Sequence, residues 1–260
     1  MSTDFAKQRN YLDELFKVYP ISPNIRREIS ASTYTEIETA FNNQNNEELV
    51  RALLKLDLFP IKDSYVAYLK RDPSSISRNP QTINRIAGNL YDMGLTKVFE
   101  KCTEPKETNR QMGPMFKYWI DKGTLGAPVY KSVESFMSNK DNGILNISDL
   151  EMKKFAKEQL GYIHDKGLDF IGRFNNTYVL GEAKFLTDFG GHQNAQFADA
   201  VSMITSEFSS NKSGAKVITI AIMDGVLYIE GNNKMFNYFK SHEEQIIISS
   251  LLLREFLYSL

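Results

Sequence analysis

The sequence predicts an α/β protein of the α+β type, with a helical N-terminal half followed by a mixed central sheet flanked by helices. Three observations predict this fold. Helical hydrophobic patterns fill the first hundred residues, strand-like runs begin after Gly161, and further helical patterns lie between and after those runs. The 260 residues are 42% hydrophobic and 24% charged, which is ordinary for a globular protein with a sizeable core. We expect residues 1–103 to form a helical region packed on a core of residues 104–260.

The N-terminal region is predicted to form successive helices. Residues 5–19 predict one helix ended by Pro20. Its expected apolar face consists of Phe5, Leu12, Leu15, Phe16 and Tyr19. Residues 33–60 predict two more helices separated by the polar run "NNQNN". A further helix is predicted after them, with Asn79 as its N-cap, Pro80 in its first turn and Gly94 just after its end.

The second half combines helices with strands. Residues 108–123 predict a helix, and Ser148 and Glu151 have the spacing of a capping box at the start of another. Residues 168–185 predict strand, turn and strand, and residues 215–231 predict a second hairpin that turns at Asp224 and Gly225. A helix is expected between these hairpins, and the tail is expected to close as a helix.

Composition excludes several classes of site. One cysteine, Cys102, excludes an intramolecular disulfide and a multi-cysteine metal site. The first ten residues are polar and charged, unlike a signal peptide, and no apolar run has membrane-spanning length. We therefore expect a cytoplasmic protein without a membrane partner.

Charge is unevenly distributed along the chain. Residues 61–131 carry 12 Lys and Arg against 7 Asp and Glu, whereas residues 1–60 carry 7 against 9 and residues 132–260 carry 12 against 16. This middle third is where an anionic partner is expected, although a solvated helical surface would show a similar excess.

Acidic residues interrupt the most strand-like segment. If Asn175 and Asn176 form a two-residue turn, Asp169 lies opposite Glu182, and Lys184 projects from the same face. The other face is expected to be a core face formed by Leu168, Phe170, Phe174, Val179, Ala183 and Phe185.

This register predicts a metal site. Directly opposed residues have Cβ atoms about 4.5–5.5 Å apart, and two carboxylates at that separation repel unless a cation lies between them. Mg²⁺ prefers oxygen ligands and suits the pair Asp169 and Glu182, while Lys184 could act on a water molecule or on a phosphate. The alternative interpretation is a solvated ladder of ion pairs on an exposed hairpin, although Ile171 and Leu180 are apolar neighbours on the same face.

With this hairpin the chain resembles the PD-(D/E)xK nucleases, with Asp169 as the first acid and Glu182-Ala183-Lys184 as the E-x-K motif. The resemblance is to type II restriction endonucleases in particular. Residues 110–116 are similar to the R-x-x-G-x-x-F helix that precedes the catalytic hairpin in those enzymes, and "AIMDGVLY" is similar to a later strand. Leu168 stands where the motif name has proline.

The resemblance implies Mg²⁺-dependent hydrolysis of double-stranded DNA, with Mn²⁺ as a possible substitute, leaving 5′-phosphate and 3′-hydroxyl ends. Asp169, Glu182 and the carbonyl of Ala183 would bind the metal, and Lys184 would position the attacking water. Glu107 is the expected upstream glutamate, with Glu104 and Glu151 as lesser candidates and a helix-dipole role as the alternative. It also implies a homodimer and a cognate DNA methyltransferase in the same restriction–modification system.

Candidate DNA contacts come from polar residues at the start of the helix after the hairpin and from the basic third. They are Arg78, Asn79, Arg85, Arg110, Gln111, His192, Gln193 and Gln196. Two other functions remain open from the sequence: a repair or junction-resolving nuclease that recognises DNA structure, and a non-catalytic DNA-binding module.

Overall fold

The fold is described from a computed structural model that covers residues 2–8, 10–20, 26–105, 108–209 and 213–260, without the side chains of residues 108–110. The chain divides into two compact units. The sheet unit comprises Met1–Ile21 and Thr108–Leu260, and the helical unit comprises Ser22–Glu107. The first helices therefore belong with the sheet, whereas the sequence grouped residues 1–103 together.

The helical unit contains six helices in its described part. They are α3 (Ala31–Asn42), α4 (Asn46–Leu54), α5 (Val66–Arg71), α6 (Ser75–Arg78), α7 (Pro80–Met93) and α8 (Leu95–Cys102). The turn between α3 and α4 falls in the Asn-rich run, as predicted, and the side chain of Asn45 caps α4 by accepting from Glu48 N. Leu49, Leu53, Ile86 and Leu90 are fully buried in a core within this unit.

The helices of the sheet unit begin with α1 (Ser2–Ala6) and α2 (Tyr11–Val18). The others are α9 (Thr108–Asp121), α10 (Val133–Ser138), α11 (Asp149–Leu160), α12 (Gly191–Ile204), α13 (Lys234–Ser241) and α14 (Leu253–Tyr258), with short 3₁₀ turns at Val226–Tyr228 and Ser250–Leu252. The capping box at Ser148 and Glu151 is present and starts α11 as predicted.

Six strands form one mixed sheet whose spatial order follows the chain. They are β1 (Val129–Tyr130), β2 (Gly143–Leu145), β3 (Phe170–Phe174), β4 (Thr177–Leu186), β5 (Lys216–Gly225) and β6 (Ile247–Ile248). β2, β3 and β4 are antiparallel neighbours, whereas β5 runs parallel to both β4 and β6. The crossover from β4 to β5 is made by α12, as a parallel pair requires.

Both faces of the sheet are covered. Phe170, Phe174 and Val179 lie in one core with residues of α2, α9 and α14. Ile171 and Leu180 lie in a second core with residues of α11. β4 therefore lies in the interior of the sheet, between β3 and β5, with apolar layers above and below it.

Three local predictions were wrong. The first segment forms two helices, and it buries Tyr11, Leu15 and Val18, while Leu12 and Phe16 are 72% and 60% exposed. The break after α1 rotates the helical face, so a single continuous stripe could not identify the buried side.

The second error is the hairpin at Asp224 and Gly225. Both residues end the continuous strand β5, because Asp224 is fully buried and accepts hydrogen bonds from Tyr19, Ser249 and Ser250. Those partners are distant in sequence, so the dipeptide Asp224-Gly225 alone predicted a turn that the structure does not have. The third error is the tail, which contains β6 and a 3₁₀ turn before the short helix α14.

Candidate active site

The β3–β4 hairpin has the predicted turn and register. Asn175 and Asn176 have φ angles of 47° and 62°, which a two-residue hairpin turn of this kind needs. Phe174 pairs with Thr177, and Phe170 pairs with Gly181. The amide of Asp169 then donates to the carbonyl of Gly181 at 3.0 Å, which places Asp169 beside Glu182 just before β3 begins.

Asp169, Glu182 and Lys184 form one cluster. Lys184 Nζ lies 2.6 Å from Glu182 Oε1 and 3.8 Å from Asp169 Oδ2. The backbone amide of Ala183 also donates to Asp169 Oδ2, at 2.9 Å. Two consecutive residues of β4, Ala183 and Lys184, thus hold the acid that precedes β3, and the lysine offsets the charge of one of the two carboxylates.

This cluster is sheltered from solvent. The side chains of Asp169, Glu182 and Lys184 are 21%, 8% and 24% exposed, and Ile171 and Leu180 beside them are fully buried. A solvated ladder of ion pairs would leave these groups open to water on an edge strand. Because β4 lies inside the sheet, the geometry instead favours a preformed polar site at the end of a hairpin that is packed on both faces.

One assignment of faces was wrong. Leu168 packs in the core that contains Ile171 and Leu180, on the side of the acidic cluster, and not with Phe170. Leu168 precedes β3, so the alternation of a regular strand does not extend to it.

Burial and charge set the protonation of the cluster. Burial raises the pKa of the Asp169 carboxyl, and the charge of Lys184 and the amide of Ala183 oppose that rise. Burial alone would lower the pKa of the Lys184 ammonium, but the charges of Asp169 and Glu182 outweigh it and raise that pKa. Lys184 is therefore a cation at neutral pH, suited to hold a water molecule or a phosphate oxygen rather than to accept a proton.

The residues present fit a divalent metal ion. Glu182 Oε2 is buried and has no hydrogen-bond partner within the described part of the chain. An unsatisfied buried carboxylate oxygen is costly, and a cation would satisfy it. No three His, Cys, Asp or Glu side chains are grouped to hold a metal among the described residues. The donor set available is therefore two carboxylates supplemented by a backbone carbonyl or water.

The polar start of α12 is partly occupied by internal contacts. Gln193 is buried, and its amide bonds both the backbone and the hydroxyl of Thr187 at 3.3 Å. Gln193 thereby fixes the chain between β4 and α12. His192 is exposed and lies 3.2 Å from Gln196 through their Nε2 atoms. This pair remains on the surface, where an anionic ligand can reach it.

The predicted basic residues of the helical unit are exposed and partly paired. Arg78 bonds Asp72 at 2.7 Å, and Arg85 bonds Asp63 at 2.5 Å. Asn79 is exposed and donates to the carbonyl of Ser75. Its side chain makes no capping bond, although the residue precedes Pro80 at the start of α7 as expected.

The upstream candidates differ in what can be said of them. Glu107 and the side chain of Arg110 lie outside the described residues. Gln111 is half-buried in α9. Glu104 pairs with Lys101 at 2.5 Å, and Glu151 is occupied by the capping box with Ser148.

Sequence reasoning missed two carboxylates near the cluster. Asp149, the first residue of α11, and Asp199, on α12, act electrostatically on Asp169 and Lys184 respectively. Each is paired with another lysine, Asp149 with Lys117 and Asp199 with Lys166. Their distance along the chain from the hairpin left no sequence signal for their proximity.

The structure defines an α+β protein that carries a sheltered Asp–Glu–Lys cluster at the end of an internal hairpin. No described helix has the length and apolar character needed to cross a membrane. The sheltered Asp–Glu–Lys cluster is the feature that indicates an enzyme site.

A family model described as Tsp45I type II restriction enzyme matches residues 1–260, and the chain belongs to this family. It is a type II restriction endonuclease, which hydrolyses double-stranded DNA at specific sites. The resemblance to type II restriction endonucleases is thus confirmed, and the interpretation as a non-catalytic module is set aside. Searches of curated proteins and of solved structures gave no significant match.

Proposed function

We propose that this restriction endonuclease cleaves DNA in the manner of the PD-(D/E)xK nucleases, with Mg²⁺ held by Asp169, Glu182 and the carbonyl of Ala183. The observation that carries the proposal is the buried, unpartnered Oε2 of Glu182 in the cluster that Lys184 forms with Asp169. Mn²⁺, which takes similar oxygen ligands, is expected to substitute. The bound ion would neutralise negative charge on the phosphate and lower the pKa of a coordinated water.

The chain's own residues then have distinct roles. Asp169 is oriented by the amide of Ala183, so its second oxygen remains to bind a ligand. Lys184 presents its ammonium group to the attacking water and to the charge that develops on the phosphate. The water oxygen forms a bond to phosphorus and releases its proton to solvent. The bond from phosphorus to the 3′-oxygen breaks, and that oxygen takes a proton, which gives 5′-phosphate and 3′-hydroxyl ends.

The partners follow from the restriction function. We propose a homodimer, because two-fold symmetric DNA sites are matched by two-fold symmetric proteins. A cognate methyltransferase would protect the host DNA, and both proteins would act in the cytoplasm. Exposed His192 and half-buried Gln196 at the start of α12 remain proposed DNA contacts. So do Arg78, Asn79 and Arg85 in the helical unit, and Arg110, Gln111 and Gln193.

Cleavage of unmethylated plasmid and phage DNA tests this function. With Mg²⁺ the purified enzyme is expected to give discrete fragments, and EDTA is expected to abolish them. Asp169→Asn and Lys184→Met should each lower the cleavage rate by about a hundredfold to a thousandfold, which is the scale of removing a group that stabilises the transition state. Asp165→Asn and Lys216→Met are matched controls, because both residues are exposed and neither belongs to the cluster.

Circular dichroism should show the same fold in all four variants. The proposed site is wrong if Asp169→Asn or Lys184→Met cleaves at the wild-type rate. Branched DNA cut in preference to linear duplex would favour the structure-recognising alternative. Analysis of the fragment ends by ligation, with and without phosphatase, tests the 5′-phosphate.

A further inference from the structure

A third carboxylate, that of Asp149, belongs to a residue that packs against the segment leading to Asp169. Gly167 precedes Asp169 by two residues, and a Cβ atom placed on Gly167 would lie 3.1 Å from the Cβ atom of Asp149. That is closer than about nine in ten real contacts of a Cβ atom, so glycine allows α11 to start directly against the segment that leads to Asp169. The side chain of Asp149 is 56% exposed, so water reaches its carboxylate at the start of α11.

Lys117 holds Asp149 on the other side. Lys117 Nζ bonds Asp149 Oδ1 and also donates to the carbonyl of Ile147 at 3.0 Å. The carbonyl of Lys117 accepts from the side chain of Asn146, which is buried, at 3.0 Å. Both ends of this lysine are thus anchored, and its charge is paired with the carboxylate of Asp149.

The unpartnered Oε2 of Glu182 is the independent sign that a cation belongs here, since that side chain is more than nine-tenths buried. Mg²⁺ keeps several water ligands when proteins bind it, and those waters need acceptors. A carboxylate one water layer away from the ion meets that need, and residues in such positions commonly affect metal affinity by tenfold or more.

We propose that Asp149 is an outer carboxylate of the divalent-ion site, which accepts hydrogen bonds from the ion's water ligands, and that Lys117 limits its strength by neutralising it. The inference rests on the proposed function, because it assumes an ion at Asp169 and Glu182. It predicts that substitutions of Asp149 and Lys117 change the affinity for the ion in opposite directions. An ion pair that only stabilised the fold would not have opposite effects on that affinity.

Mn²⁺ binding to the enzyme without DNA, followed by the electron paramagnetic resonance signal of free Mn²⁺, tests the proposal. Asp149→Asn is expected to weaken binding about tenfold. Lys117→Met is expected to tighten binding severalfold, because it leaves the carboxylate unneutralised. In the double variant the gain from Lys117→Met should disappear, since the carboxylate that it frees is gone.

Asp165→Asn is the matched control, because Asp165 is also an exposed aspartate paired with a lysine, Lys153 at 2.7 Å. Its Mn²⁺ affinity should equal that of the wild type. Circular dichroism identifies any variant that does not fold. If Asp149→Asn fails to fold, the direction in which Lys117→Met changes the Mn²⁺ affinity still tests the proposal.

The outcomes separate the two proposals. If the wild type binds no Mn²⁺, or if Asp169→Asn binds it as well as the wild type, the proposed metal site itself is wrong. If Asp169→Asn loses binding while Asp149→Asn and Lys117→Met match the wild type, only the role of Asp149 is overturned. A loss with Asp149→Asn as complete as that with Asp169→Asn would make Asp149 a direct ligand and overturn the outer position.

Discussion

Replacement of Gly225 by alanine should destabilise the sheet unit severely. Gly225 ends β5 opposite Leu186 of β4 and has a φ angle of 102°. A Cβ atom there would lie 2.0 Å from the carbonyl oxygen of Leu186 and 2.9 Å from its carbonyl carbon. These are backbone atoms of a paired strand, so no side-chain rotation relieves the overlap.

The magnitude follows from two terms. The backbone conformation alone costs a non-glycine residue about 1–3 kcal/mol. To relieve the overlap, β4 and β5 must separate locally, which also disturbs the hydrogen bond from the Gly225 amide to the hydroxyl of Tyr11. We expect the free energy of unfolding to fall by more than about 4 kcal/mol, a size typical of backbone strain combined with overpacking.

Gly123→Ala is the matched control. Gly123 lies in the same unit with a φ angle of 70°, but a Cβ atom there meets nothing within 4 Å. The cost should be about 1–2 kcal/mol, from the backbone conformation alone. Urea unfolding followed by the fluorescence of Trp119, the single tryptophan, reports on this unit.

The two variants should differ in the free energy of unfolding by about 2 kcal/mol or more. Equal stability of Gly225→Ala and Gly123→Ala would refute the reasoning, because it would mean that the close approach of Leu186 costs nothing. Leu186 follows Lys184 by two residues on β4, so DNA cleavage by Gly225→Ala should also fall more than cleavage by Gly123→Ala.

Three further predictions concern stability. Tyr19→Phe removes the hydrogen bond to buried Asp224 and should cost about 1–3 kcal/mol in urea unfolding; an unchanged midpoint would count against that bond. Burial raises the pKa of Asp224, so this side chain holds a proton more readily in the folded protein than in the unfolded chain. The free energy of unfolding that Asp224 contributes is therefore present at low pH and is lost as the pH rises above 3.8, the ordinary pKa of the group. Asp224→Asn should lack that decline. Leu15→Ala should cost about 2–5 kcal/mol because Leu15 is buried, whereas exposed Leu12→Ala should cost little; similar costs would contradict the observed face of α2.

The hairpin of the candidate site could be predicted because its information is local. Asn175 and Asn176 specify the turn, and the turn fixes which residue stands opposite which. Asp169, Glu182 and Lys184 follow from that register without knowledge of the rest of the chain. Their individual roles in catalysis stay predictions.

Other features depend on contacts between distant segments. Asp224 and Gly225 have the composition of a turn, yet Tyr19 and Ser249 hold Asp224 inside a continuous strand. The packing of α1 and α2 with the sheet unit likewise follows from tertiary contacts. Asp149 packs against Gly167, two residues before Asp169, and that approach is visible only in three dimensions.

The contact of Lys184 with Glu182 has a consequence for how the enzyme matures. The ammonium group of Lys184 offsets the charge of one of the two acids before any ion is bound, so a newly made chain can fold this site without divalent ions. The ion proposed at Asp169 and Glu182 can use the unpartnered Oε2 of Glu182 while Lys184 stays on Oε1. Prolonged storage in a chelator should therefore leave the enzyme intact and ready to be reactivated.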